Sequence, residues 1–143
     1  MRDIISNIAV VEAVPPAAYG ADNTPSAIDI KGFDAAMLAI HVGIGGISFN
    51  GTNKIEFKLT HSDDDATYTA VTIDDVQGLA SVGAGGIVKA LVAAHAAPSI
   101  TRVGYVGNKR FLKLLADFSG THGTATPLSA TVIKGHARER PVA

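Results

Sequence analysis

Lys54-Ile55-Glu56-Phe57-Lys58-Leu59-Thr60 decides the fold class. Apolar and polar residues alternate along it, so an extended chain places Ile55, Phe57 and Leu59 on one face and the charges on the other. This predicts a strand with one wet side. Upstream, Ala36-Met37-Leu38-Ala39-Ile40-His41-Val42 is almost continuously apolar and bounded by Asp34 and Gly43, which predicts a strand covered on both faces. The link between the two contains Asn50-Gly51, a strong hairpin signal, so the two segments are expected to pair antiparallel.

The same reading extends outward in both directions. Ser62-Asp63-Asp64-Asp65-Ala66 predicts a polar turn into an alternating Thr67–Thr72 segment, a second hairpin. Ile100–Val106 and Phe111–Phe118 flank Gly107-Asn108, which predicts a third. Leu128–Gly135 is the final strand, Ala27–Ile30 is a short one, and Ile8–Val14 is a strand that Pro15-Pro16 is expected to stop. Asp74-Asp75 is expected to cap a single helical turn through Val76-Gln77. After Gly83-Ala84-Gly85-Gly86, a strand from about Ile87 followed by an irregular Ala-rich connection to Pro98 is expected. The sum is one all-β domain over residues 1–143, an antiparallel β-sandwich or barrel of about seven to nine short strands.

Composition narrows the function classes. The 143 residues contain no cysteine, which excludes disulfides, thiolate metal sites and thiol catalysis. Twelve Lys and Arg against thirteen Asp and Glu leave no net field for a polyanion, so no nucleic-acid partner is predicted. No apolar run approaches a membrane span and no leader pattern opens the chain, so no membrane partner is predicted either. Charged residues make up only 17% of a chain that is 47% hydrophobic, and much of the apolar weight is alanine. So lightly charged a surface implies an interface.

No catalytic, cofactor-binding or metal-binding residue is predicted. His41, His61, His95, His122 and His136 lie too far apart in sequence to share a zinc-type spacing. Asp63-Asp64-Asp65 lacks the alternating ligands of a calcium loop and reads as a solvated turn. The glycine clusters lack the context of a dinucleotide or phosphate loop, and no Gly-x-Ser-x-Gly elbow is present. The protein is therefore expected not to be an enzyme.

Four stretches carry a family likeness: Ile28-Asp29-Ile30-Lys31-Gly32-Phe33-Asp34, Phe57 to Thr69, Arg102-Val103-Gly104-Tyr105-Val106-Gly107-Asn108-Lys109-Arg110-Phe111, and Val132-Ile133-Lys134-Gly135-His136-Ala137-Arg138. Together they resemble the small β-rich head proteins of tailed bacteriophages regarded as capsid decoration or cement proteins. Asp65-Ala66-Thr67-Tyr68 stands where such relatives often carry Gly-Ser-Thr-Trp, with Tyr able to fill the same half-buried aromatic role.

The resemblance implies a protein on the outer surface of the virion, assembled in the host cytoplasm, that binds the major capsid protein and stabilises contacts between capsid subunits. It also implies a homotrimer, where composition alone favours a dimer. Arg2, Ile4 and Ile5 before the first strand and Arg138 and Arg140 after the last are the candidate contact residues, as arms reaching a neighbour. Two other readings suit an all-β chain: a carbohydrate-binding β-sandwich module, and a head–tail connector or tail-tube subunit. The first calls for an aromatic platform, and this chain has three Tyr, five Phe and no Trp.

Overall fold

The computed structural model describes residues 3–142, so Arg2 lies outside the described residues. Among the described residues ten strands follow in order: β1 (Ala9–Tyr19), β2 (Ile28–Asp29), β3 (Phe33–Val42), β4 (Lys54–Ser62), β5 (Thr69–Ala70), β6 (Val76–Gln77), β7 (Ile87–Leu91), β8 (Ser99–Tyr105), β9 (Phe111–Ser119) and β10 (Thr126–Ala137). Three are two residues long, and the other seven are the longer segments that alternation or apolar runs mark in the sequence.

All pairings between strands are antiparallel. One sheet has the order β1-β10-β3-β8-β6, and the other β2-β9-β4-β5, with β7 also on β4. Their inward faces share one core. Leu38, Ile40, Val103 and Val132 from the first sheet and Ile55, Phe57, Leu59, Leu112 and Leu114 from the second are fully buried in it. The alternation read in Lys54–Thr60 is realised: Ile55, Phe57 and Leu59 point inward, and β4 pairs with β9 from Lys54↔Ser119 to Ser62↔Phe111.

Two expected hairpins are corrected. Asn50 does form a tight turn, its Oδ1 accepting from the N–H groups of Thr52 and Asn53 at 2.8 Å. Yet β3 and β4 belong to different sheets. Phe49 is buried in the core, and its burial anchors the connection from one sheet to the other. Gly107-Asn108 likewise carries the chain from β8 in the first sheet to β9 in the second. The Asp63–Asp65 hairpin holds, joining β4 to the short β5 through Thr60↔Ala70 and His61↔Thr69.

Pro15-Pro16 does not stop β1. That strand lies at the edge of its sheet, and its pairing with β10 shifts register between Val14 and Ala17, which spans the two prolines. An edge strand with a bulge is where a residue lacking an N–H is tolerated. The helical turn near Asp74 is also displaced: it spans Ile73–Asp75, and Val76–Gln77 is β6. The Asp75 carboxylate closes the turn by accepting from the Thr72 N–H and hydroxyl at 2.8 and 2.9 Å. Ile87–Leu91 is a strand followed by an irregular Ala-rich connection, as the sequence predicts. In β3 the inward Ala36, Leu38, Ile40 and Val42 are buried, whereas Ala35, Met37 and His41 on the outer side keep partial exposure. The outer face is thus left largely open, Ala39 being its buried residue, where the sequence predicts cover on both faces.

Candidate contact surface

The register Ala9↔Lys134 and Phe33↔Ala137 sets the start of β1, the end of β10 and the start of β3 at the same end of the sandwich. Both chain ends leave the fold there. Asp3 organises the N-terminal segment into a turn: its Oδ1 accepts from Ser6 N–H at 3.1 Å and its carbonyl from the Asn7 side-chain amide at 2.7 Å. The bond to Ser6 holds the Asp3 carboxyl below its ordinary pKa. The turn presents Ile4 and Ile5 at 67% and 81% exposure, although an isolated apolar pair gains nothing from water.

The C-terminal segment comes back to meet it. Val142 N–H donates to the Ser6 carbonyl at 3.2 Å, and Arg138 N–H donates to the Gly32 carbonyl. The Arg138 guanidinium grips Asp34, with Nε at 2.7 Å from Oδ1. Arg140 is exposed and is joined to Pro141 by a cis peptide bond. Ile4, Ile5, Arg138 and Arg140 therefore share one end of the molecule, and the two segments are hydrogen-bonded to each other rather than separate. Nothing in their sequence announces that pairing, since a bond between residues 6 and 142 leaves no local signal.

Beside them lies an open groove of about 610 Å³, lined by Lys31, Phe33, Asp34, Lys109, Arg110 and Arg138 among others. Its charges are largely paired. Arg110 binds Asp29 through Nε at 2.8 Å and Nη2 at 2.5 Å, a two-point grip that holds the Asp29 carboxyl down at about 2. Lys109 Nζ reaches Asp63 at 2.9 Å. The guanidinium of Arg110 also covers the Phe111 ring, and the ammonium of Lys134 covers Phe33. Pairing of this kind leaves a patterned, nearly neutral surface that suits a protein partner better than a polyanion.

The groove wall is tied to the core through a buried polar pair. His61 Nδ1 lies 2.9 Å from the Tyr105 hydroxyl, and that hydroxyl accepts from Lys109 N–H at 3.1 Å. Burial pushes the His61 ring below its ordinary pKa of 6.5, so the folded protein holds it neutral. Unfolded chains take up that proton near pH 6.5 and folded ones only at lower pH. Stability is therefore complete above pH 6.5 and falls as pH drops below it, by at most about 1.4 kcal/mol per pH unit, until the folded value is reached. Urea melts of the wild type and His61→Asn between pH 5 and 8 check this: the variant is expected to show the shallower decline, and equal slopes would refute the assignment.

The remaining residues singled out in the sequence are spread elsewhere. Asp64 is the hub of its turn, accepting from Ala66 and Thr67 N–H groups at 2.9 Å and from Ser62 Oγ, which together hold its carboxyl at about 2. Asp63 is engaged by Lys109, and Asp65 accepts from the Tyr68 hydroxyl. At the far end of the sandwich Phe49 stacks on His95 with centroids 5.5 Å apart, and His122 meets Phe118 edge-on at 4.8 Å. Among the described residues no group of three His, Cys, Asp or Glu side chains is gathered as a metal set. No helix among the described residues is long and apolar enough to cross a membrane.

No family model and no curated protein matches this chain. A solved structure described as "Bacillus endospore appendages form a novel family of disulfide-linked pili" is similar over 92% of this chain and 89% of that one, at 13% identity and a TM-score of 0.39. A likeness at that score carries no argument about fold or function.

Proposed function

We propose that this protein is a capsid decoration protein of a tailed bacteriophage, bound to the outer surface of the head, where it stabilises contacts between major capsid proteins. The observation that carries the reading is the convergence of both chain ends on one end of the sandwich, where the segments bearing Ile4, Ile5, Arg138 and Arg140 meet through the Val142–Ser6 hydrogen bond and Arg138 lines the ion-paired groove. It is joined by the family resemblance of the four stretches from Ile28 to Arg138 and by the low charge of the chain. On this reading the protein is not an enzyme, carries no cofactor, and acts as an oligomer whose repeated weak contacts add through avidity.

The aromatic side chains speak against a carbohydrate-binding module. All eight Phe and Tyr residues are buried or half-buried, and Phe33, Tyr68 and Phe111 are covered by Lys134, Lys113 and Arg110. A sugar-stacking platform needs an open ring face. To test the proposal, heads assembled without this protein are mixed with the purified chain, and sedimentation and heat stability are followed. Co-sedimentation and a raised disruption temperature are expected; intact protein that leaves the heads unbound overturns the decoration reading. Removing residues 1–7 and 138–143 together is expected to weaken binding, and undiminished binding would remove the ends from the contact.

A further inference from the structure

Among the described residues no element covers the outer face of the β1-β10-β3-β8 sheet, and its residues fall into rows. Strand register sets Val10, Ile133, Met37 and Gly104 side by side, and the next row is Glu12, Thr131, Ala39 and Arg102. Val10 is 59% exposed, and Ile100 two residues beyond Arg102 is 64% exposed. Neither Glu12 nor Arg102 makes a salt bridge among the described residues. With neighbouring strands about 4.8 Å apart, these two opposite charges stand about 14 Å from each other across the uncharged Thr131 and Ala39.

We propose that this face pairs with the same face of a second copy, about a two-fold axis that runs along the strands between β10 and β3. That axis lays β1 of one copy over β8 of the other. Glu12 then faces Arg102 of the second copy, and symmetry makes the contact twice. Val10 comes over Gly104, whose missing side chain leaves a shallow groove bordered by Met37, Ile100 and Arg102. Ile133 meets Met37. Facing sheets cross at about 30°, which moves residues 7 Å from the axis by only about 4 Å, within the reach of Glu and Arg side chains.

The charges select this axis over its rival. A two-fold running across the strands through the Glu12–Arg102 row would set Glu12 against Glu12 and Arg102 against Arg102, and like charges face to face oppose association. The pairing is a property of the free protein and does not depend on the capsid reading. It yields a two-fold pair where the family resemblance implies a three-fold one.

Sedimentation equilibrium of the full chain over a concentration series tests it. The wild type is expected to show a monomer–dimer equilibrium. Glu12→Arg and Arg102→Glu, each creating two like-charge contacts, are expected to weaken dimerisation roughly tenfold or more, and the double exchange Glu12→Arg with Arg102→Glu to restore most of the loss. Both sites are exposed on the outer face, and an unchanged far-ultraviolet spectrum verifies that each variant is folded. A chain that stays monomeric, a trimer, a dimer indifferent to the single exchanges, or a double exchange that fails to restore pairing each overturns the proposal.

Discussion

Replacing Gly86 with alanine is expected to cost roughly 3 kcal/mol or more, while the same change one residue earlier, Gly85→Ala, costs roughly 1 kcal/mol. Both glycines sit in the left-handed region, at φ +81° and +77°, so both replacements strain the backbone alike. Their surroundings differ. A Cβ on Gly85 meets nothing within 4 Å, whereas one on Gly86 would lie 2.3 Å from the Leu59 carbonyl oxygen and 3.3 Å from the Val71 nitrogen. Leu59 is fully buried in β4, donates its N–H to the Gly86 carbonyl at 2.9 Å, and accepts from Val71 N–H at 3.2 Å. The chain passes this close to β4 where the β4–β7 register shifts, between Phe57 and Lys58, and the strand has no slack to yield. At a slope near 1.5 kcal/mol/M a loss of this size moves a urea midpoint by roughly 2 M. Equal midpoints for the two variants would refute the close approach.

Asn23→Ala is expected to cost roughly 2–4 kcal/mol, because it takes the side-chain partner from two backbone groups of β9, the Leu114 carbonyl and the Ala116 N–H. The buried Asn23 side chain donates from Nδ2 to the Leu114 carbonyl at 3.2 Å and accepts at Oδ1 from Ala116 N–H at 2.7 Å. Asp22 continues the pattern, accepting from Phe118 N–H at 2.7 Å. β2 covers β9 only at Phe111 and Leu112, so these two side chains stand in for the missing remainder of a strand. The edge is thereby protected from adding another chain. Asn23→Asp, which keeps the acceptor and loses the donor, is expected to fall between wild type and Asn23→Ala in a urea melt near neutral pH. A loss below about 0.5 kcal/mol for Asn23→Ala, the range of ordinary surface changes, would show that the side chain is not what closes this edge.

These two sites also mark where sequence reading reaches its limit. Alternation in Lys54–Thr60 was enough to orient β4, because period two in a half-buried strand has one consistent inward face. Asn50-Gly51 and Gly107-Asn108 report that the chain turns, and it does. A turn is chosen by local dihedrals and local hydrogen bonds, and neither says whether the next strand joins the same sheet or crosses to the facing one. Burial of Phe49 on the first connection and of Tyr105 before the second goes with the crossing, and burial is a tertiary property. Pro15-Pro16 misleads for a related reason: it forbids a central strand, and only the topology reveals β1 as an edge. Asn23 carried no signal at all, since its partners lie about ninety residues away.

The candidate contact surface was legible in part. Ile4, Ile5, Arg138 and Arg140 stand out as residues beyond the first and last strands, and the fold brings the two groups to one end. The sequence could not foresee that the ends bond to each other, nor that Arg138 is held by Asp34, because both contacts join segments about a hundred residues or more apart. The outer sheet face was foreseeable only as a surplus of apolar residues without an address. Register supplies the address, by aligning Glu12 and Arg102 in one row across four strands.

Because the natural chain has no cysteine, Ile5→Cys gives it a single thiol on the proposed contact surface. Labelled there with a thiol-directed photo-crosslinker, bound to heads assembled without the wild-type protein and irradiated, it is predicted to form an adduct with the major capsid protein. The same label at Ile100→Cys, on the outer sheet face, is predicted to join two copies of this chain. An Ile5→Cys protein that binds heads yet yields no adduct with the major capsid protein would contradict the contact assigned to the chain ends.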